Sequence, residues 1–142
     1  MPRYAFVEQH SEEDCGAACV AIVARQHGRN LPLSRVRELV GTGSLGTTLL
    51  GLRRGADAIG FQARAVRAQP DLLEHLDAIP LPAICHWKGN HWVVLHGRRR
   101  RHYVIADPAV GLRRLSEKEF LEGWSNGVML LHFLHFLNLL LL

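Results

Sequence analysis

The spacing of apolar residues changes about halfway along this chain of 142 residues. Before residue 60, apolar positions recur three and four residues apart, as they do on one face of a helix. After residue 80, short runs rich in β-branched and aromatic residues are separated by two hairpin-sized connections, 88–90 and 98–101. Helices followed by antiparallel strands predict an α+β domain, with N-terminal helices packed on a C-terminal antiparallel sheet.

Glycine, proline and capping residues set the bounds of the predicted elements. Helices are predicted over residues 15–27, 32–40, 47–59, 70–78 and 116–124. The last of these begins with a capping box, Ser116 and Glu119. Strands are predicted over residues 61–68, 82–87, 91–97, 102–108 and 128–134.

The length of the chain suits one compact domain with a real core, which we expect to span residues 1–131. Residues 132–142 form a Leu-rich tail that is either the start of a linker or a vector-derived addition. The apolar stretch from Val128 to Leu142 is shorter than the roughly 20 residues that a membrane helix needs. A tail of this kind suggests that the chain is part of a larger protein.

The cysteine count and the distribution of charge bound the class of protein. Three cysteines make a disulfide framework unfavourable and fit a reducing compartment. The net charge is +4, and four arginines stand together at residues 98–101. This run is either a solvated turn between two strands or a site for an acidic partner or an anionic lipid surface. No groove-lining helix or interleaved aromatic residues point to nucleic acid, so no nucleic-acid partner is expected.

Cys15 stands where a polar, acidic segment gives way to an almost wholly apolar helix. The first turn of a helix presents unpaired N–H groups and a partial positive charge, which stabilise a thiolate. Gly16 is expected to leave room beside the sulfur for the backbone of a substrate. Cys15 is therefore either a nucleophile or a small buried apolar residue.

A nucleophilic thiol needs an imidazole partner, and the imidazole needs an acceptor that orients it. His91 opens one predicted strand and Asp107 ends the next, so a hairpin through the arginine run would make them cross-strand neighbours. The alternative for Asp107 is an ordinary turn aspartate before Pro108. Gln9, six residues before Cys15, is either an oxyanion donor or a surface residue.

A zinc site is the competing interpretation of the same residue types. Cys15 and Cys19 share a helix face, and His86, His91 and His96 recur in the strands. There is no second close cysteine pair, and Cys19 falls on the apolar stripe of its helix. We therefore expect neither a metal nor a cofactor.

Four pieces of the sequence resemble the bacteriocin-processing cysteine peptidase domain, the double-glycine leader peptidase of peptidase-containing ABC exporters. They are Gln9, DCGAAC (14–19), GNHWVVLHG (89–97) and IADPAVG (105–111). Their order and spacing agree with that family over nearly the whole chain.

The resemblance implies a papain-like fold and a cysteine endopeptidase that removes leaders from small secreted peptides after a Gly-Gly pair. It implies that Cys15 is the nucleophile, His91 the general base and acid, Asp107 the residue that orients the imidazole, and Gln9 an oxyanion donor. The implied partners are the leader peptide and the transmembrane and ATPase domains of an exporter, on the cytoplasmic side of the bacterial inner membrane. The alternative is a non-catalytic domain that only binds and recruits the leader.

Overall fold

The computed structural model describes residues 3–134. Four α-helices are α1 (Cys15–Gln26), α2 (Leu33–Val40), α3 (Leu49–Ala58) and α4 (Glu117–Gly123). Two 3₁₀ segments, Glu12–Asp14 and Pro70–Ala78, precede α1 and follow the first strand. Six strands are β1 (Phe61–Arg67), β2 (Ala83–Trp87), β3 (His91–Arg99), β4 (His102–Asp107), β5 (Gly111–Leu115) and β6 (Val128–Leu134).

All strand pairs in the sheet are antiparallel, and the strand order is β1-β6-β2-β3-β4-β5. The last strand, β6, lies between β1 and β2, so the C-terminal part of the described chain joins β1 to the rest of the sheet. The predicted α+β class, with helices first and an antiparallel sheet after them, is confirmed.

The strand β5 was not predicted from the sequence, and the predicted type of one helix was wrong. In β5, Leu112, Arg113 and Arg114 are exposed, so the strand lacks the apolar alternation that marks a half-buried strand. β5 exists because it pairs with the edge of β4. The predicted helix over 70–78 is a 3₁₀ segment that kinks at His75.

The predicted starts of α2 and α3 fall one and two residues early, since Pro32 and Thr48 have extended backbones and stand just before these helices. Thr48, expected with Thr47 as a possible cap of α3, accepts a hydrogen bond from Gly51 N–H at 3.0 Å, which confirms that expectation. The predicted capping box of α4 is present, since Ser116 and Glu119 bond to each other's backbone N–H groups.

Two buried clusters cover the two faces of the sheet. Along β3, Trp92 and Val94 belong to the cluster that contains α1, whereas Val93 and Leu95 belong to the other. Every residue of α1 from Cys15 to Ala24 is buried, so α1 forms the centre of the first cluster. The second cluster is built around the α4 side chain Phe120, whose ring lies between 5.4 and 5.5 Å from three other aromatic rings.

The sheet has two distinct ends, which we call the His91 end and the Arg100 end. β3 begins at the His91 end and turns into β4 at Arg100, and β4 returns to finish with Asp107 at the His91 end. β2 runs against β3, and β6 runs against β2, so β6 runs in the direction of β3. Its last residue, Leu134, therefore lies toward the Arg100 end.

β6 continues to Leu134, three residues past the domain end expected at residue 131, so the first part of the expected tail belongs to the sheet. The rest of the expected tail, residues 135–142, lies outside the described residues. Within residues 3–134, no helix combines the length and the apolar character required to cross a bilayer.

Candidate active site

Cys15 is the first residue of α1 and is 3% exposed. The 3₁₀ segment that precedes it turns the chain into the helix, which places the sulfur at the positive end of the helix dipole. This position is the one predicted from the change between acidic and apolar sequence.

Asp14 lies directly before Cys15, and its carboxylate is completely buried. Ser11 Oγ donates a hydrogen bond to Asp14 Oδ2 at 3.1 Å. Arg37 Nε, on α2, stands 2.8 Å from Asp14 Oδ1 as an ion pair without hydrogen-bond geometry. The charge of Arg37 offsets the carboxylate next to the sulfur and fixes α2 to the start of α1.

The imidazole of His91 is bound to Asp107 at the His91 end of the sheet. His91 Nε2 lies 2.7 Å from Asp107 Oδ1, and the same oxygen accepts a hydrogen bond from Ala109 N–H at 3.0 Å. The His91 side chain is 25% exposed and that of Asp107 only 8%. Cys15 is near enough to the same ring to help raise its pKa. The structure thus brings Cys15, His91 and Asp107 together.

The expected contact between His91 and Asp107 across the strand pair is present, but it is diagonal, because the two residues are not directly opposite each other. In the register, Val94 pairs with Ala106. Asp107 comes one residue after Ala106 in β4, and His91 comes three residues before Val94 in β3. The offset comes from the turn, because Arg99 pairs with His102 and the hairpin is centred between Arg100 and Arg101. A bulge partly corrects it: Leu95 pairs with Ile105 and Gly97 with Val104, which leaves His96 as an extra residue and brings Asp107 one position closer to His91.

The two charged groups shift each other's pKa in the directions expected of an ion pair. Burial alone would lower the pKa of His91, but hydrogen bonds and charge from Asp107 and Cys15 outweigh it and raise the pKa to about 9. Burial alone would raise the pKa of Asp107, but hydrogen bonds from His91 and the Ala109 N–H hold it below its usual value. At neutral pH the site therefore contains an imidazolium bound to a carboxylate.

Gln9 is held against the same end of the sheet by its backbone. Its N–H donates to the carbonyl of Pro108, the residue after Asp107, at 3.0 Å. The preceding segment is fastened at Ala5, whose N–H donates to Gln26 Oε1 at 2.8 Å and whose carbonyl lies 2.9 Å from His96 Nε2. The Gln9 side-chain oxygen is buried and has no hydrogen-bond partner among residues 3–134.

Gly16 does not leave space for a substrate, contrary to the expectation from sequence. A Cβ added at Gly16 would lie 3.0 Å from Leu52 Cδ2 and 3.0 Å from Thr47 Cβ. The missing side chain instead lets α1 pack closely against the start of α3. Trp92, expected in the core, is 6% exposed and donates from Nε1 to the Thr47 carbonyl at 3.2 Å.

Thr47 is the residue near the site that the sequence did not reveal. It touches the neighbour of Cys15 on one side and the neighbour of His91 on the other. Its hydroxyl also pairs with that of Thr42 at 2.7 Å. The two threonines flank a Gly-rich loop, a pattern that also fits an ordinary helix cap, which is why it carried no signal.

The surroundings of Cys19 and Cys85 differ from those of Cys15. Cys19 and Cys85 are free and completely buried, and burial raises the pKa of both thiols. In the part of the chain that the structure describes, no three His, Cys, Asp or Glu side chains form a group that could hold a metal ion. Cys15 differs from the other two thiols in its contact with an imidazole.

A family model described as the Peptidase C39 family matches residues 3–133. The lactococcin-G-processing and transport ATP-binding protein LagD of Lactococcus lactis subsp. lactis is 37% identical over 129 residues, covering 88% of this chain and 18% of that protein. The colicin V secretion/processing ATP-binding protein CvaB of Escherichia coli is 33% identical over 128 residues, covering 90% of this chain and 18% of that protein. The chain thus spans about a fifth of the length of these relatives.

Two solved structures are similar over almost the whole chain. The peptidase domain of Streptococcus ComA, a bifunctional ABC transporter involved in quorum sensing, has a TM-score of 0.87 and 32% identity, covering 94% of this chain and 100% of that one. A double glycine motif protease from an AMS/PCAT transporter, solved in complex with its leader peptide, has a TM-score of 0.85 and 30% identity. It covers 94% of this chain and 93% of its own.

Proposed function

Because the chain belongs to the Peptidase C39 family, we propose that it is a papain-like cysteine endopeptidase that removes the leader from small secreted precursor peptides after a Gly-Gly pair. The observation that carries the proposal is the set of contacts among Cys15, His91 and Asp107 at the start of the central helix. The double-glycine specificity is proposed from the described specificity of the similar protease. Glycine has no side chain, so a narrow channel beside the sulfur would admit it and exclude larger residues.

In the first step, the Cys15 sulfur, paired as a thiolate with the His91 imidazolium, attacks the carbonyl carbon of the second glycine. His91, held as an imidazolium by Asp107, supplies the proton that the leaving amine needs when the peptide bond breaks. The leader remains attached to Cys15 as a thioester, and the mature peptide departs with a new N-terminus. His91, now neutral, takes a proton from water, which attacks the thioester and releases the leader as a carboxylate.

The negative oxygen that forms in each step needs donors. The Cys15 backbone N–H, at the start of α1, is one. The side-chain amide of Gln9 is the other, because its backbone is fixed to Pro108, next to Asp107. The Gln9 donor is its Nε2 amide group, since the side-chain oxygen accepts hydrogen bonds and cannot bind an oxyanion.

We propose that this chain acts as a peptidase domain of an ABC exporter on the cytoplasmic side of the bacterial inner membrane. Its relatives are described as processing and transport ATP-binding proteins, and this chain corresponds to a small part of them. The transmembrane and ATPase domains of the exporter would then be its partners, together with the leader of the precursor peptide.

The test is cleavage of a synthetic precursor with a Gly-Gly leader, followed by mass spectrometry. The wild-type chain should release the leader with its terminal Gly-Gly. Cys15→Ala should bind the same leader with unchanged affinity and release nothing. A wild-type chain that binds the leader but leaves it intact at high enzyme concentration would favour the alternative, a recruitment domain, and would refute the peptidase.

A further inference from the structure

The arginine run lines a cleft at the Arg100 end of the sheet. The cleft has a volume of about 490 Å³, and its lining consists of Arg99, Arg100, Arg101, His102 and Arg114. We call these five residues the arginine patch. All five are exposed, and no carboxylate belongs to the lining.

The positive charge of the patch is not neutralised by neighbours. Among residues 3–134, no Asp or Glu oxygen lies within 4.0 Å of any of its four arginines. The charge of His102 contributes to the lowered pKa of Glu119, but the Glu119 carboxylate already accepts a hydrogen bond from the Ser116 N–H in the capping box. The chain has 17 basic and 13 acidic side chains, so the four patch arginines equal its whole formal excess of +4. Such a concentration of like charge is relieved by a multivalent anionic surface.

Arg98, the first arginine of the run, has a structural role that the patch arginines lack. Its Nε donates to the Arg100 carbonyl at 2.8 Å, and its guanidinium lies 5.9 Å from the centre of the Tyr103 ring. These contacts fix the turn, so the arginines that follow are presented from a defined hairpin tip.

Apolar side chains reach the same end of the sheet. Phe133 and Leu134, the last residues of β6, are 36% and 58% exposed. Basic and apolar groups at one end fit the interface of an anionic membrane, which accepts both. A surface for single-stranded nucleic acid usually adds aromatic rings on which bases stack, and Tyr103, the ring beside Arg98, is buried.

We propose that the Arg100 end of the sheet is a docking surface for an anionic phospholipid membrane, with the arginine patch binding the lipid phosphates. Cys15, His91 and Asp107 lie at the opposite end, so docking leaves the catalytic groups facing away from the bilayer. The proposal goes beyond the peptidase activity and does not depend on it.

The experiment is co-sedimentation of the 142-residue chain with sucrose-loaded vesicles at 50 mM and 500 mM KCl. One set of vesicles is pure phosphatidylcholine, and the other contains about 30% phosphatidylglycerol. Each basic residue at an anionic surface contributes about fivefold to binding, so the double variant R100Q/R101Q should bind the anionic vesicles about thirtyfold more weakly. Binding should disappear at 500 mM KCl and be absent on pure phosphatidylcholine.

The matched control is R53Q/R54Q, which removes two exposed arginines of α3 and lowers the net charge by the same amount. It should lose no more than about threefold, because these residues belong to another surface. No binding of the wild type to anionic vesicles at 50 mM KCl, or equal loss in both double variants, would overturn the proposal. Displacement from the vesicles by micromolar inorganic tripolyphosphate would also overturn it, since the patch would then be a site for soluble phosphates.

Cleavage of the soluble leader peptide is measured in parallel and should be unchanged in both double variants. A wild-type chain that binds anionic vesicles through the patch but cleaves nothing would refute the peptidase and leave the docking surface standing. A chain that cleaves but ignores vesicles would do the reverse.

Discussion

His132 should make the fold sensitive to mild acid. The residue lies within β6, is 2% exposed, and packs edge-on against the Phe61 ring with the centroids 5.4 Å apart. Neither ring nitrogen has a hydrogen-bond partner among residues 3–134. Burial, with a smaller contribution from His27 and a partial opposing one from Asp57, lowers the pKa of His132 from 6.5 to about 4.

The direction of the effect on stability follows from proton uptake. Below pH 6.5 the unfolded chain binds a proton at His132, while the folded chain stays neutral there until about pH 4. The free energy of unfolding therefore falls as the pH is lowered through this window. The full difference between the two pKa values corresponds to about 3 kcal/mol, of which about 2 kcal/mol is lost by pH 4.5.

The perturbation is His132→Leu, which removes the titrating ring and the two unpaired nitrogens from an apolar site. Urea unfolding, followed by tryptophan fluorescence at pH 7.0 and 4.5, measures the free energy in each protein. Between these pH values, the variant should lose about 2 kcal/mol less than the wild type. Carboxylates whose pKa is lowered by folding contribute equally to both proteins and cancel.

His10→Gln is the control, because His10 is exposed and its removal should leave the pH dependence as it is. If His132→Leu and the wild type lose the same free energy between pH 7.0 and 4.5, the reasoning is refuted. That result would mean that the folded state protonates His132 as readily as the unfolded chain does.

Three further predictions concern the site. Asp107→Asn should lower kcat by about 10²–10⁴-fold with little change in leader affinity, since the His91 ring loses its preferred orientation. Turnover and leader binding are measured separately, and a collapse of affinity would make Asp107 a binding residue. For the wild type, kcat/KM should fall as the pH rises through about 9, where His91 loses the proton required by the leaving amine; a profile still flat at pH 10 would contradict this role. Gly16→Ala should lower the free energy of unfolding by about 1–3 kcal/mol, because the new methyl group meets Thr47 and Leu52 at 3.0 Å; an unchanged Tm would show that α3 yields freely.

The sequence revealed elements whose pattern is local. The helical spacing around Ile22 and the alternation in the strand that starts at Phe61 were sufficient to place α1 and β1 within a residue or two. The strand β5 was not readable, because GLRRL becomes a strand only through its pairing with β4. The order of the strands was not readable either, since β6 inserts between β1 and β2 through pairing of residues far apart in sequence.

The residues of the candidate site could be predicted from the sequence, but their relative positions could be predicted only in part. The position of Cys15 followed from the helix start, and the neighbourhood of His91 and Asp107 followed from the hairpin. Their diagonal relation did not, because a run of four arginines does not show that the turn is centred between Arg100 and Arg101, and the bulge at His96 has no unambiguous sequence signature. Gly16 was misread because its purpose, contact with a loop thirty residues away, is a property of packing.

The extra residue at His96 decides which side chain meets the imidazole. If a regular ladder ran from the pair of Gly97 and Val104 through His96, the later residues of β4 would shift by one position, and Pro108 would lie opposite Val93, where Asp107 now lies. A proline offers no carboxylate, so the bulge is what brings a carboxylate within reach of the imidazole. The same residue secures the strap that carries Gln9, through Ala5. Position 96 thus has two effects on the site: its extra residue sets which part of β4 reaches His91, and its ring holds the segment that leads to Gln9.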